Sequence, residues 1–162
     1  MSRWRPPQAK SSPIITPQGY ANLEQELEKL WRKRRIVNEA LAAAAAEGDR
    51  SENAEYIYRK KEQASIDRRI RYLQKRMPEL QVVSNVANQK QVFFGAKVTL
   101  LQEFNKEVCY RIVGADEADS HKGDISVDSP LAKNLLKKQV NDEISIKIED
   151  KKVNYLIIKI EY

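Results

Sequence analysis

Apolar positions in the first half of the chain recur at alternating steps of three and four. Tyr20, Leu23, Leu27 and Leu30 begin the series, Arg34 interrupts it, and Val37, Leu41 and Ala44 resume it. That spacing is a heptad seam and predicts one long helix. Thr16 followed by Pro17 marks its start, a hydroxyl able to cap and then a proline at the first helical position. The helix is expected from Pro17 to Glu47, roughly 45 Å at about 1.5 Å per residue. Its seam narrows to alanine at Ala42–Ala46, where a partner helix can approach closely. A second seam at Ile66, Ile70, Leu73, Met77 and Leu80 predicts a second helix, ended or bent by Pro78. Two long helices joined by a tight turn make an antiparallel hairpin with Gly48–Asn53 at its tip.

Beyond residues 81–92, which read as a linker, the period switches to two. Ala96–Leu101, Val108–Val113, Ile125–Val127, Ile144–Ile148 and Val153–Ile160 read as short strands rich in β-branched residues. Ser129-Pro130 opens one helix, Pro130–Lys138, with Leu131, Leu135 and Leu136 inward. The fold class is α+β. An N-terminal coiled-coil hairpin (residues 14–80) precedes a small antiparallel sheet domain with one helix (residues 93–162), and residues 1–13 form a flexible basic arm.

Charge refines this picture. The chain of 162 residues carries a formal charge of +6. Lysine and arginine nearly balance the acids in residues 93–162, eleven against twelve, so the basic excess lies in the hairpin and the arm. From position 59 to 76 on the second helix Arg59, Lys60, Lys61, Arg68, Arg69, Arg71, Lys75 and Arg76 stand against only Glu62 and Asp67, with Tyr56, Tyr58 and Tyr72 nearby. Arg32–Arg35 add a run on the first helix. Such a face is either solvated or tracks phosphate. One cysteine (Cys109) and one histidine (His121) argue against a zinc cage, Cys/His or Ser/His catalysis, and an internal disulfide. A reducing cytoplasm is the expected home. Nothing approaches an 18-residue apolar run, so neither a membrane span nor a membrane partner is expected.

The tip sequence Gly48-Asp49-Arg50-Ser51-Glu52-Asn53 admits two readings. Gly48 suits the left-handed end of the first helix, Asp49 then caps the second, and Glu52 completes a capping box. Alternatively, Asp49 and Glu52 are an exposed carboxylate pair able to hold a hard cation such as Mg²⁺.

GDRSENAEYIYRKK (Gly48–Lys61), IDRRIRYL (Ile66–Leu73), VFFGAKV (Val92–Val98), YRIVGADE (Tyr110–Glu117) and ISVDSPLAKNLLKK (Ile125–Lys138) closely resemble the bacterial Gre transcript cleavage factors, in the pattern of the GreB branch. The resemblance implies a coiled-coil hairpin and an FKBP-like domain without isomerase activity. It implies an accessory factor, not an enzyme in itself. The expected partners are bacterial RNA polymerase, at the rim of its secondary channel, and the nascent RNA 3′ end. The expected action is stimulation of the polymerase's own cleavage of that RNA in backtracked complexes. The tip acids of the family fall on Asp49 and Glu52, which share Mg²⁺ with the polymerase active site. The isolated chain is expected to hold no metal stably and to be a monomer. The RNA-contacting patch falls on Arg59, Lys60, Lys61, Arg68 and Arg69. The polymerase-binding Asp-Ser-Pro falls on Asp128, Ser129 and Pro130, and Asp128→Ala is expected to weaken polymerase competition with little loss of thermal stability. Asn141 stands where relatives commonly have glycine, and Gln102–Lys106 departs from the pattern. Two other classes remain: a secondary-channel regulator that binds polymerase without stimulating cleavage, and a basic coiled coil that binds RNA alone.

Overall fold

In the computed structural model residues 9–48, 53–84 and 89–162 are described. The chain divides into two compact units, Tyr20–Leu80 and Met1–Gly19 with Gln81–Tyr162.

The first unit holds most of α1 (Pro17–Ala46) and all of α2 (Ala54–Arg76). Pairs between them run in opposite numerical order: Glu26 with Arg69, Arg34 with Asp67, Asn38 with Gln63, Ala44 with Asn53. The helices are therefore antiparallel. Val37, Ile66 and Ile70 form the buried seam, with Leu27 and Leu30 packed against it. Both helices end where local chemistry requires. Gly48 has φ +143°, a conformation that residues with a Cβ rarely adopt, and Pro78 falls in a 3-10 turn, Met77–Glu79, directly after α2.

The second unit is built on a five-stranded sheet in the order β5-β4-β3-β7-β6. Its strands are β3 (Lys97–Leu101), β4 (Glu107–Val113), β5 (Asp124–Ser126), β6 (Glu143–Ile148) and β7 (Lys151–Glu161). Alternation puts Val98, Leu100, Ile112, Ile144, Ile146, Tyr155 and Ile157 on one face, where Ala132 and Leu135 of α3 (Pro130–Leu135) complete the core.

The sheet is mixed, not antiparallel as the sequence suggested. β4 and β5 pair in parallel, Arg111 with Asp124 through Val113 with Ser126. A parallel partner needs a crossover rather than a hairpin. Residues 114–123 provide it, through a 3-10 turn at Ser120–Lys122 and Gly123 at φ +76°. α3 is also shorter than expected, since Leu136 leaves the helical conformation at ψ 136° and Lys137 follows at φ +67°. Asn141 takes φ +73°, the left-handed conformation that asparagine tolerates better than most residues.

A further pair was not legible in the sequence. β1 (Ile14–Ile15) lies parallel to β2 (Gln81–Val82), in chain that composition assigns to the hairpin and the linker. The Gln81 N–H donates to the Pro13 carbonyl, and the Val83 N–H to that of Ile15. Gly114 lies so close to this pair that a Cβ there would stand 2.1 Å from the Ile14 oxygen.

The β3–β4 turn places Phe104 at φ +62° and Asn105 at φ +56°, with the Phe104 side chain 100% exposed. A phenylalanine buries nothing there and occupies a conformation that favours glycine. Phe104→Gly is expected to leave the fold intact and to raise stability by about 1 kcal/mol, a Tm gain of roughly 2–4 °C. A lower Tm in thermal melts would contradict this account of the turn.

Candidate functional site

Asp49 and Glu52 lie outside the described residues. The residue that caps α2 is Asn53, extended at φ −82° and ψ 100°, whose Oδ1 accepts the Tyr56 N–H at 3.1 Å. The capping box expected of Asp49 and Glu52 is thereby corrected. Its cap position belongs to Asn53 and its third helical position to Tyr56, so Glu52 precedes the cap. The Asn53 Nδ2 also donates to the Ala44 carbonyl at 2.8 Å, a carbonyl that the Glu47 N–H reaches at 3.3 Å at the end of α1.

The five cations expected to form one patch divide into two groups. Arg59 donates to Glu55 at 2.8 Å and to Glu62 at 3.1 Å. Arg69 holds Glu26 across the seam through two nitrogens, at 2.6 and 3.0 Å. Both guanidinium groups also stack on tyrosines, Arg59 5.5 Å from the Tyr58 ring and Arg69 5.3 Å from that of Tyr72. The Glu55 and Glu62 carboxylates raise the Arg59 pKa above its ordinary value. The Lys33 hydrogen bond above all holds the Glu62 carboxyl below the usual range, with burial opposing it and Arg59 adding to it. Arg69 thus ties α2 to α1, whereas the partners of Arg59 both lie on α2 itself.

Lys60, Lys61 and Arg68 are exposed, and none of them makes an ion pair among the described residues. Lys60 stands over the Tyr56 ring at 5.9 Å. Positions 58, 61, 65, 68, 72 and 75 follow the spacing that keeps residues on one helix face. Lys61, Arg68 and Lys75 thus share a face of α2 with Tyr58 and Tyr72, which are 60% and 44% exposed.

In the sheet unit, Ser129 caps α3, its Oγ accepting the Ala132 N–H at 3.2 Å, and Pro130 takes the first helical position. Asp128 just precedes the cap. Its carboxylate accepts the Ser12 N–H at 2.8 Å and the Ser12 hydroxyl. The end of the arm is therefore seated on the acid assigned to docking. Two hydrogen bonds to a carboxylate revise the expectation that Asp128→Ala is thermally silent. Among the described residues no three His, Cys, Asp or Glu side chains are grouped to hold a metal. No helix among them is long and apolar enough to cross a membrane.

Comparison with known proteins decides the family. Residues 13–82 match "Transcription elongation factor, N-terminal", and residues 87–162 match "Transcription elongation factor, GreA/GreB, C-term". The chain belongs to the GreA/GreB family of transcription elongation factors. The GreB of Xanthomonas axonopodis pv. citri is 54% identical over 165 residues, covering 100% of this chain and 98% of that protein. The GreB of Pseudomonas aeruginosa is 47% identical over 164 residues, with 100% and 98% covered. The GreA factor homolog 1 protein of Thermus thermophilus superposes at a TM-score of 0.43, with 22% identity over 92% of this chain and 98% of that one.

One residue of this GreA/GreB chain has a role that its sequence does not announce. Glu117 ends YRIVGADE, and its carboxylate gathers the start of α1. Oε1 accepts the N–H groups of Thr16 and Gly114, both at 2.8 Å, and Oε2 accepts the Thr16 hydroxyl at 2.5 Å. Thr16 Oγ1 in turn accepts the Gly19 N–H at 3.0 Å, capping α1 as Thr16-Pro17 foretold. The only sequence signal for Glu117 was its place in the motif.

Proposed function

We propose that this elongation factor binds RNA polymerase at the rim of the secondary channel and stimulates the polymerase's own cleavage of nascent RNA in backtracked complexes. It acts in the cytoplasm as an accessory factor, lending catalytic groups to another enzyme. The observation that carries this reading is the cap of α2. Asn53 does the work that would otherwise give Asp49 and Glu52 a structural reason to exist.

The two carboxylates are hard oxygen donors, the class Mg²⁺ prefers, and two are too few to complete its sphere alone. Asp49 and Glu52 would hold the ion only beside the polymerase's own ligands. Bound there, it would supply water activation or leaving-oxygen stabilisation. This chain's residues then have three tasks: the acids orient the attacking water, exposed Lys61 and Arg68 meet RNA phosphate, and the Asp128–Pro130 corner docks.

The test is a stalled, backtracked elongation complex with Mg²⁺. Adding the protein is expected to release an RNA 3′ fragment, while the protein with Mg²⁺ alone leaves free RNA intact. Cutting of free RNA without polymerase would refute the accessory role. Binding without stimulation would indicate a non-cleaving regulator.

The divided basic patch predicts divided phenotypes. Lys61→Ala with Arg68→Ala is expected to leave Tm unchanged, weaken stimulated cleavage and flatten its log–log salt dependence by roughly 0.7 for each phosphate no longer neutralised. Arg69→Ala is expected to destabilise the hairpin instead, by about 0.5–1 kcal/mol for a partly exposed pair. Equal salt slopes for the double variant and wild type would remove those two residues from the RNA-binding surface.

Ser12 separates the two roles of Asp128. Ser12→Ala and Asp128→Ala are both expected to destabilise, by about 1–2 kcal/mol. Only Asp128→Ala is expected to weaken competition for polymerase. Equal binding losses would assign the docking effect to the seated arm.

A further inference from the structure

We infer that Phe104 is a second polymerase contact, an aromatic anchor carried at the end of the sheet away from the Asp128 corner. The inference rests on the reading that the sheet unit docks on RNA polymerase. Phe104 is 100% exposed and holds φ +62°, so it costs stability and adds nothing to the core. Beside its turn lies an apolar floor with an acidic edge. Cross-strand register aligns Glu107, Leu101, Leu156 and Glu143 in one row over β4, β3, β7 and β6. Paired residues share a face of the sheet. Here that face is opposite the core, which takes the neighbouring Leu100, Ile157 and Ile144. Leu101 and Leu156 are half-buried, and the acids are exposed. A recess of about 260 Å³ opens there, with Leu101, Gln102, Glu103, Glu143 and Leu156 in its lining. Glu103, Glu107 and Glu143 make no ion pair among the described residues.

A lone exposed apolar side chain is ordinary. A phenylalanine held at positive φ next to an apolar, acid-edged recess is not. The complementary surface is an apolar hollow edged by lysine or arginine: the ring fills the hollow, and the unpaired carboxylates favour cations around it. Size makes the polymerase the occupant. A standard protein interface covers about 800 Å² on each partner, a patch roughly 30 Å across. Asp128 lies just beyond the Val113 end of β4, and Phe104 just before its Glu107 end. The 7 residues of β4 span about 23 Å at roughly 3.3 Å each. One docking interface therefore has the reach to include both ends. Phe104 belongs to Gln102–Lys106, the stretch that departs from the family pattern, so this contact is the chain's own.

Phe104→Gly separates anchoring from folding, because its two readouts move in opposite directions. Tm is expected to rise while affinity for polymerase falls. In competition with labelled wild type for RNA polymerase, Phe104→Gly is expected to bind about tenfold more weakly or worse. Phe104→Trp keeps an aromatic anchor and is expected to bind within about threefold of wild type. In backtracked complexes Phe104→Gly is expected to raise the concentration needed for half-maximal stimulated cleavage and to leave the maximum unchanged. Glu103→Lys with Glu143→Lys is expected to slow association, most at low salt. Wild-type affinity in Phe104→Gly, with Asp128→Ala still impaired, would overturn the anchor and leave the docking corner standing. A wild-type oligomer in sedimentation that Phe104→Gly disperses, at unchanged polymerase affinity, would place a second copy there and overturn it too. If wild type itself does not bind polymerase, the underlying reading fails and the anchor fails with it.

Discussion

Glu117→Ala is expected to destabilise the protein by about 3–5 kcal/mol, because the carboxylate accepts three hydrogen bonds, from Thr16 N, Thr16 Oγ1 and Gly114 N. Bonds to a charged acceptor contribute roughly 1.5–3 kcal/mol each, and removing the acceptor strands its donors. Those donors have little access to water, since Thr16 is only 4% exposed. The charge also favours the N-terminus of α1, where unpaired N–H groups gather. The three contributions are not additive, because they share one group. At roughly 2–4 °C per kcal/mol, the fall in Tm should be about 6–20 °C. Gln at position 117 keeps one acceptor but sets an NH₂ against a donor, so Glu117→Gln should fall between wild type and alanine. Circular dichroism melts decide the matter, and a loss under about 1 kcal/mol would mean that water replaces the carboxylate. Gly19 shows how closely the site is built, because a Cβ there would meet Glu117 Oε2 at 1.8 Å.

The long helices were legible because a heptad seam repeated over some thirty residues has few competing explanations. All five strands of the main sheet were legible for a similar reason, a run of alternating β-branched positions. β1 and β2 were not. Each is two residues long, too short to show a period, and Ile14 finds its partner at Gln81 far along the chain. The cap of α2 was misassigned because DRSEN contains three residues able to cap. Spacing does not choose among Asp49, Ser51 and Asn53, whereas the bond that Asn53 Oδ1 accepts from the Tyr56 N–H does. The basic patch was legible as charge but not as available charge. Whether Arg69 faces RNA or Glu26 depends on the register of two helices, which the sequence of either one does not contain. Asp128 shows the same limit, since its hydrogen bonds with Ser12 span 116 positions.

The second large effect falls on activity rather than stability. Asp49→Asn and Glu52→Gln are each expected to lower stimulated cleavage about a hundredfold or more, roughly 2.7 kcal/mol of barrier. The two substitutions preserve size and shape but replace one oxygen by an NH₂ and remove the charge that a hard cation requires. Stability should be spared because α2 is capped by Asn53. Polymerase affinity should be spared because the proposed docking residues, Asp128–Pro130, belong to the other unit.

The decisive measurement is therefore release of the RNA 3′ fragment from a stalled, backtracked complex, with wild type, Asp49→Asn and Glu52→Gln compared at saturating protein. Fragment release by wild type alone, with both variants folded and still competing for polymerase, is the predicted result. Release by the variants at the wild-type rate would contradict the account, since the tip acids would then contribute nothing to the reaction.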